Sequence, residues 1–437
     1  MSKKHKKVIS LLVTVLMLSM LFTAVSVSQA AKRVNLLLWT GYPEMVPFYE
    51  KVAKDYEDLH PDVKIDVAAF GLRDFERKLS MAIPSGTESD IMQVSTYAIR
   101  KFVEAGYIPK NPPSINTFLK SGAFRTYIVQ GNIYKEDFYG LPIYQGMKVM
   151  YWNKTMFAEA GLTHSPKTWE ELINYSQKLA KYDGRGNLVR SGISLRLSGA
   201  GSGVAEKWWC FLISAGRTVV EETPNGKYHN GYNNEAGRDA LKLYIDLLYK
   251  YGVDNYTIKH DAEAFALEKT AMFEREGWVV GYIKEHAPEM QYDTALLPRY
   301  RRAGTVGGWE NLFVSKSCKD PEVAWDFVQL MEKPEYMKHL LLEIGWQPCR
   351  IDVDYEDIYK IVPQYRALME VPEGYLVLGY PPIKPVDEIY TKLAERLVAA
   401  YLRKDLLDNP RGLAKVIADA AEETDSILKE AGLYGVE

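Results

Sequence analysis

The chain has 437 residues, with 54 lysines and arginines against 57 aspartates and glutamates and a formal net charge of −3 at pH 7. A mildly acidic chain is not expected to take nucleic acid or anionic lipid as its main partner. The length exceeds what one hydrophobic core usually organises, so two lobes are expected.

The first thirty residues have the pattern of a cleavable export signal. Four lysines at positions 3–7 precede an apolar run over 8–27, and the small residues Ser28 and Ala30 occupy the −3 and −1 positions of a cut after Ala30. The alternative is an uncleaved membrane anchor, because the run is nearly long enough to span a bilayer. No cysteine ends the run, so a lipid-modified terminus is not expected. Cleavage removes four lysines and no acid, so it leaves 407 residues with a formal charge of −7 in the periplasm.

The N-terminal part alternates predicted strands with predicted helices. Apolar or alternating runs predict strands over 34–39, 63–67 and 91–94, and amphipathic spacing predicts helices from Pro43 to His60, from about Arg73 to Ile83, and up to Gly106. Short links between such elements imply a parallel α/β sheet.

Helix starts and stops mark the rest of the chain. Thr168 opens a capping box, Asn234 is a predicted N-cap, and Asp320 precedes a first-turn proline. The segment from about 386 to 428 is predicted to be mostly helical, with an interruption near 409–412.

Local catalytic motifs are not found. The seven histidines include no pair at metal-binding spacing. The run Gly199–Gly203 fits neither a phosphate loop nor a nucleophile elbow, because Val204 stands where each motif needs glycine. It is interpreted as a flexible loop ahead of a helix that begins near Val204, with N–H groups free to contact a ligand. A glycoside hydrolase needs two carboxylates that need not be close in sequence, and nothing in the chain points to them.

Three cysteines, Cys210, Cys318 and Cys349, are too few for a disulfide framework. A single bridge between Cys318 and Cys349 and three buried free thiols are the two interpretations.

Four motifs follow one another along the chain. They are Leu141–Lys154 continuing into Pro166–Leu172, Thr270–Phe273 with Trp278, Val306–Trp309 with Pro321–Phe327, and Gly345–Arg350. Together they resemble the extracellular solute-binding proteins of ABC importers, in the branch that includes maltose-binding proteins. One departure is Thr270, which stands where the family usually has glycine before Ala-Met.

The resemblance implies an α/β, two-lobed periplasmic-binding-protein fold with a ligand cleft between lobes joined by hinge strands. It implies an N-lobe of 31–143 plus 298–350 and a C-lobe of 144–297 plus 351–437. The implied function is to capture a carbohydrate and deliver it to the membrane permease of an ABC importer, as a monomer, without catalysis, cofactor or metal. A glycerol phosphate type of solute, a polyamine, a ferric ion and a secreted glycoside hydrolase remain the alternatives.

Sugars present apolar faces and a rim of hydroxyls, so their sites need aromatic platforms and planar polar groups. The 30 tyrosines and 9 tryptophans suit such a cleft. Ligands of open α/β sheets bind at the carboxyl ends of strands, which selects Trp39, Tyr42 and Tyr97. The resemblance adds Tyr144, Gln145, Trp208, Trp209, Arg275, Glu276, Trp278, Trp309, Glu310, Asn311 and Trp346. For each tryptophan the alternative is core packing, which is preferred for Trp152, Trp169 and Trp325.

Overall fold

The computed structural model describes residues 33–258 and 261–436. The predicted export signal therefore lies outside the described residues. The strands are β1 Val34–Thr40, β2 Val63–Ala69, β3 Ile91–Ser95, β4 Ile133–Tyr134, β5 Asp137–Phe138, β6 Leu141–Met147, β7 Val149–Asn153, β8 Lys181–Tyr182, β9 Leu188–Arg190, β10 Val220–Glu222, β11 Tyr228–Asn230, β12 Met272–Arg275, β13 Tyr292–Ala295, β14 Gly304–Val314, β15 Gln347–Pro348 and β16 Leu376–Leu378.

The helices surround these strands. The α-helices are Val46–Leu59, Leu72–Ser85, Thr96–Glu104, Pro113–Leu119, Thr126–Gly131, Lys154–Glu159, Trp169–Leu179, Gly203–Ala215, Glu235–Ile245, Asp261–Ala266, Trp278–His286, Pro321–Leu330, Pro334–His339, Glu356–Ile361, Arg366–Met369, Val386–Tyr401 and Pro410–Glu430. The Thr168 and Asn234 side chains accept hydrogen bonds from the first-turn N–H groups, which confirms both predicted N-caps. The predicted interruption near 409–412 is the start of the last helix, whose N-cap is Asn409.

The larger sheet has the strand order β15-β6-β14-β3-β1-β2, and β16 pairs with β14. Strand β1 lies parallel to β2 and β3, as the strand–helix alternation predicts, whereas β14 is antiparallel to β3 and β6. A smaller antiparallel sheet has the order β12-β7-β13. The described residues also form three two-stranded sheets, β4-β5, β8-β9 and β10-β11, and the larger sheet is mixed rather than purely parallel.

Alternation along β7 places the smaller sheet between two hydrophobic clusters. Met150 and Trp152 pack into a cluster with the helices Gly203–Ala215 and Val386–Tyr401. Tyr151 faces the other way, into a cluster that extends to the larger sheet. Because successive strand side chains point to opposite faces, one short strand joins the two cores.

Two strand segments cross between the lobes side by side. At Lys148, between β6 and β7, the backbone N–H donates to the carbonyl of Val306 at 3.1 Å, and the Thr305 hydroxyl donates to the Lys148 carbonyl at 2.7 Å. Strand β14 itself pairs with β16 at one end and with β3 at the other. The predicted two-lobed α/β fold with hinge strands is confirmed.

The segment after Arg350 packs first on one and then on the other of the two hydrophobic clusters. Up to Met369 it lies in the cluster that contains Tyr151 and Phe273 of the smaller sheet, and the Thr294 hydroxyl of β13 donates to the Gln364 carbonyl at 2.6 Å. Residues from Ile383 onward pack around the helix Gly203–Ala215.

The three cysteines are buried free thiols, which confirms that interpretation over a Cys318–Cys349 bridge. Within the part of the chain that the structure describes, no helix is both long and apolar enough to cross a membrane.

Candidate ligand-binding cleft

A cavity of about 840 Å³ lies between the two lobes. Residues after β1 and at the end of β3 form one wall, and the start of the helix Gly203–Ala215 with the end of β12 forms the other. The crossing segments at Lys148 and Val306–Gly308 form its floor. A cleft at the carboxyl ends of strands is where ligands of open α/β sheets bind.

Nine of the predicted site residues line this cavity. They are Tyr42, Tyr97, Tyr144, Arg275, Glu276, Trp278, Trp309, Glu310 and Trp346. Residues from the beginning, middle and last third of the chain thus meet in one place.

Aromatic rings cover the first-lobe side. The Trp346 ring lies 4.8 Å from the Tyr144 ring and 6.0 Å from the Tyr42 ring, centroid to centroid. The Trp346 indole N–H is buried without a hydrogen-bond partner among the described residues. Edge-packed rings hold one another in fixed orientations, so this group is a preformed apolar surface.

Trp309 is fixed by its indole N–H and by a glycine. Its Nε1 donates to Asn132 Oδ1 at 2.8 Å, and a Cβ added to Gly131 would lie 2.2 Å from the ring. The close approach requires glycine at 131. Trp278 stands on the opposite lobe, at the first residue of the helix Trp278–His286, and the Arg275 guanidinium lies 5.2 Å from its ring centre.

Glu310 is a buried carboxyl group with neutral hydrogen-bond partners. The Tyr42 hydroxyl donates to Oε1 at 3.1 Å, and Gln93 Nε2 lies 3.4 Å from Oε2. Gln93 in turn donates to Tyr144 Oη at 2.8 Å. Burial raises the pKa of Glu310 to about 8, although the hydrogen bonds from Tyr42 and Gln93 oppose the rise. Glu310 is therefore mainly protonated at neutral pH.

Lys148 joins two glutamates of the second lobe. Its ammonium lies 3.0 Å from Glu206 Oε2 and 2.7 Å from Glu276 Oε1, and its side chain is only 4% exposed. Glu206 also accepts hydrogen bonds from Tyr380 at 2.5 Å and from Ser202 at 2.9 Å. Burial raises the pKa of Glu206, but the Lys148 ammonium and the hydrogen bond from Tyr380 together more than offset this and lower it to about 2. The pKa of Glu276 is likewise held well below its usual range.

Further ion pairs lie behind the second-lobe wall of the cavity. Arg275 Nε lies 3.3 Å from Asp261 and 3.4 Å from Glu276, and the Lys207 ammonium lies 3.5 Å from Asp261 and from Glu274. Positive and negative groups alternate, so each of these three carboxylates has a cation beside it.

Five predicted site residues do not line the cavity. Trp39 is 7% exposed and packs with Phe75 and Met92 behind the sheet, under the Lys78 ammonium. Trp208 and Trp209 are 0% and 1% exposed within the helix Gly203–Ala215. That helix is buried on nearly all sides, so its tryptophans belong to the core of the second lobe and not to the cleft.

Gln145 and Asn311 are the other two predicted site residues that do not line the cavity. Gln145 alternates with Tyr144 and Gly146, so its side chain points away from the cavity and accepts a hydrogen bond from Tyr127 at 2.7 Å. Asn311 is fully buried and donates to Thr96 Oγ1 at 2.8 Å. Both hold neighbouring elements in place.

Several cavity residues carry no signal in the local sequence. They are Arg73, Lys148, Arg196, Glu206 and Tyr380. Tyr380 follows β16, a strand that only its pairing with β14 reveals. The Gly199–Gly203 run was the one indication of a ligand contact near Arg196 and Glu206, and its Ala200, Ser202 and Gly203 do line the cavity. Among the described residues, no three His, Cys, Asp or Glu side chains group as ligands for a metal ion.

Residues 42–338 match the family model described as bacterial extracellular solute-binding protein. The chain belongs to this family, which is one of binding proteins that act outside the cytoplasm. The match covers more than half of the chain and includes eight of the nine cavity residues that were predicted.

Two relatives illustrate the similarity along the chain. A putative binding protein of Brucella abortus (strain 2308) is 23% identical over 393 residues, which cover 88% of this chain and 90% of the relative. The maltotriose-binding protein of Pyrococcus abyssi is 24% identical over 405 residues, which cover 86% and 83% of the two chains.

Solved structures share the fold. A solute-binding protein of an ABC transporter from Thermotoga lettingae, bound with α-D-tagatose, has a TM-score of 0.73 at 23% identity and covers 90% of this chain and 100% of its own. The cyclic α-maltosyl-1,6-maltose binding protein of Arthrobacter globiformis has a TM-score of 0.73 at 20% identity, with 91% and 99% covered. At these identities the likeness concerns the fold.

Proposed function

We propose that the protein captures a carbohydrate between its two lobes and delivers it to the permease of an ABC importer. The observation that carries this is a cavity lined by aromatic rings in which the interior cations Lys148, Arg275 and Arg73 are already paired with carboxylates. Rings match the apolar faces of sugars, and fixed polar groups match their hydroxyls. The maltotriose-binding and arabinooligosaccharide-binding relatives support this ligand class.

The pairing of charges favours a sugar over the other solutes. A polyamine needs free carboxylates in the interior of the cleft, yet there Glu206 and Glu276 are held by Lys148 and Glu310 is mainly protonated. A ferric ion needs phenolates, yet burial raises the pKa of Tyr97 and of Tyr144 well above their usual value. A glycerol phosphate diester offers no flat face for the rings.

Catalysis is not part of the proposal. A glycosidase pairs a protonated carboxyl with a second carboxylate across the sugar bond. Glu310 is protonated, but it is 7% exposed and engaged by Tyr42 and Gln93, and Glu206 and Glu276 are held by Lys148. We expect no release of reducing sugar when purified protein is incubated with oligosaccharides.

We further propose that the chain is cut after about Ala30 and acts as a monomer in the periplasm. Mass spectrometry of the exported protein tests the cut, and sedimentation tests the monomer. Retention of residues 1–30 in a membrane fraction would show an anchor instead.

The test of the ligand class is a thermal-shift and calorimetric screen of the mature protein against mono- and oligosaccharides. Binding to the native state raises the melting temperature by mass action. We expect Trp278→Ala and Trp309→Ala each to weaken sugar binding about ten-fold or more, as truncations of central aromatic residues do.

Trp325→Ala is the matched control, because Trp325 is half-buried on the helix Pro321–Leu330 and does not line the cleft. Equal affinity of wild type, Trp278→Ala and Trp309→Ala would refute the site. A shift with a phosphate diester, a polyamine or ferric ion, and with no sugar, would refute the ligand class.

A further inference from the structure

Arg196 lies in the cleft against the turn Gly199–Gly203. A Cβ on Gly203 would lie 2.4 Å from its Nη1, and a Cβ on Gly199 would lie 3.2 Å from its Nη2. The two glycines therefore allow the guanidinium to pack flat on the backbone of the turn. The glycine-rich run, which matches no phosphate-binding motif, has a role as the support of this side chain.

The guanidinium of Arg196 has no partner among residues 33–258 and 261–436. It forms no ion pair or hydrogen bond there, and its Nε is buried and unsatisfied although the side chain lines the cavity. Asp261 is the carboxylate whose pKa its charge affects, but Asp261 already lies between Lys207 and Arg275. A half-buried charge without a counterion is costly, so its retention calls for a ligand.

The other cations of the cavity differ from Arg196 in this respect. Lys148 lies between two glutamates, Arg275 contacts Asp261, and Arg73 Nη1 lies 2.8 Å from Glu76. Glu310 is mainly protonated and contributes no charge to balance Arg196. The remaining carboxylates that line the cavity are exposed ones at its rim, namely Glu44, Glu285 and Glu343. Arg196 is thus the cation of the cavity lining that has neither an ion pair nor a hydrogen bond among the described residues.

We propose that Arg196 binds an anionic substituent of the carbohydrate ligand, the carboxylate of a hexuronate or the phosphate of a sugar phosphate. This inference rests on the proposed function. A planar guanidinium matches a carboxylate with two parallel hydrogen bonds, which favours the uronate. The aromatic rings contact the apolar face of the sugar, and Arg196 selects the acidic sugar over its neutral counterpart.

The experiment is calorimetry on the mature protein with matched pairs of probes: trigalacturonate with galactotriose, trimannuronate with mannotriose, and glucose 6-phosphate with glucose. At low salt, we expect the acidic member of at least one pair to bind about ten-fold or more tightly than its neutral partner. Added salt reduces this preference, because screening weakens the ionic contact. The pair with the preference identifies the anion as carboxylate or phosphate.

Variants separate the charge from the packing. Arg196→Gln is expected to abolish the preference for the acidic probe, and Arg196→Lys to retain part of it. Arg217→Gln makes the same change of net charge on an exposed residue of the same lobe, paired with Glu221, and is expected to leave the preference intact. Unchanged melting temperatures of the variants show that the fold is kept.

Three results overturn the inference. Neutral probes that bind as tightly as acidic ones to the wild type refute the anion site and leave the carbohydrate function standing. A preference for the acidic probe that persists in Arg196→Gln refutes the assignment to Arg196. Failure of every sugar to bind refutes the proposed function itself, together with this inference.

Discussion

The two walls of the cleft each contain a glutamate, buried in the case of Glu310 and half-buried in the case of Glu206, and the two glutamates are in opposite states. Glu310 in the first-lobe wall has neutral partners, and burial raises its pKa to about 8. Glu206 in the second-lobe wall lies 3.0 Å from the Lys148 ammonium, and its pKa falls to about 2. The difference teaches that burial favours the neutral carboxyl, and that a neighbouring ammonium together with a donated hydrogen bond reverses the outcome.

The largest expected effect comes from removing that lysine. Lys148→Met leaves Glu206 without its cation and Glu276 with Arg275 alone, and is expected to lower the free energy of unfolding by about 3 kcal/mol or more, measured by urea denaturation at neutral pH. The loss should shrink at low pH, where the carboxylates are protonated. Lys181→Met is the control, because Lys181 pairs with Glu159 on the exposed surface and its loss should not be measurable. If Lys148→Met and Lys181→Met lower the free energy of unfolding equally, Lys148 does not stabilise the ionised form of Glu206 in the cleft.

A smaller effect concerns the pH dependence of the unfolding free energy, to which Glu310 in the first-lobe wall contributes. Because the pKa of Glu310 is raised from 4.5 to about 8 in the folded state, its stabilising contribution is complete below about pH 4.5 and is lost as the pH rises through about 8. Unfolding free energy of the wild type should therefore decrease by a few kcal/mol between about pH 5 and 9. Glu310→Gln stays neutral and should remove part of this decrease.

Asp254 provides the internal reference for that titration. It is buried in the second lobe, accepts hydrogen bonds from Ser191 and Leu195, and has a pKa that burial raises to about 7. Its share of the decrease should persist in Glu310→Gln and disappear in Asp254→Asn. A Glu310→Gln profile identical to that of the wild type would show that Glu310 is ionised in the folded protein.

The smallest effect compares one hydroxyl on each wall. Tyr380 donates to Glu206 at 2.5 Å, and Tyr42 donates to Glu310 at 3.1 Å. Hydrogen bonds to charged groups are stronger, so Tyr380→Phe should cost about 2 kcal/mol and Tyr42→Phe about 1 kcal/mol at pH 7. Above about pH 8 the cost of Tyr42→Phe should grow, because Glu310 ionises. If Tyr42→Phe costs as much as Tyr380→Phe at neutral pH, or more, the assignment of Glu310 as neutral and Glu206 as ionised is contradicted.

The outcome for the predicted site follows from what local patterns encode. Strand ends and recurring motifs located Tyr42, Tyr97 and Trp278 at the cleft, because the carboxyl ends of neighbouring strands meet at one edge. The same reasoning failed for Trp208 and Trp209, whose helix is apolar on nearly every face. A run of apolar residues shows that a helix is buried but not what it is buried against.

The charged residues of the second-lobe wall could not be predicted from the local sequence, for a different reason. Lys148 and Glu206 are 58 residues apart, and Arg196 has no described partner at all. Single lysines and glutamates in a sequence are usually solvated, so nothing marked these as paired or unpaired groups in a cavity.

By itself the sequence determined many of the secondary elements and the helix caps at Thr168 and Asn234, and its motifs identified the two-lobed fold. These depend on spacing and side-chain chemistry within a few residues. Tertiary structure decided which aromatic residues face the cleft, which thiols stay unpaired, and the protonation of Glu310 and Glu206. The reason is that burial and charge pairing depend on groups far apart in the chain, which only the packing of the two lobes brings together.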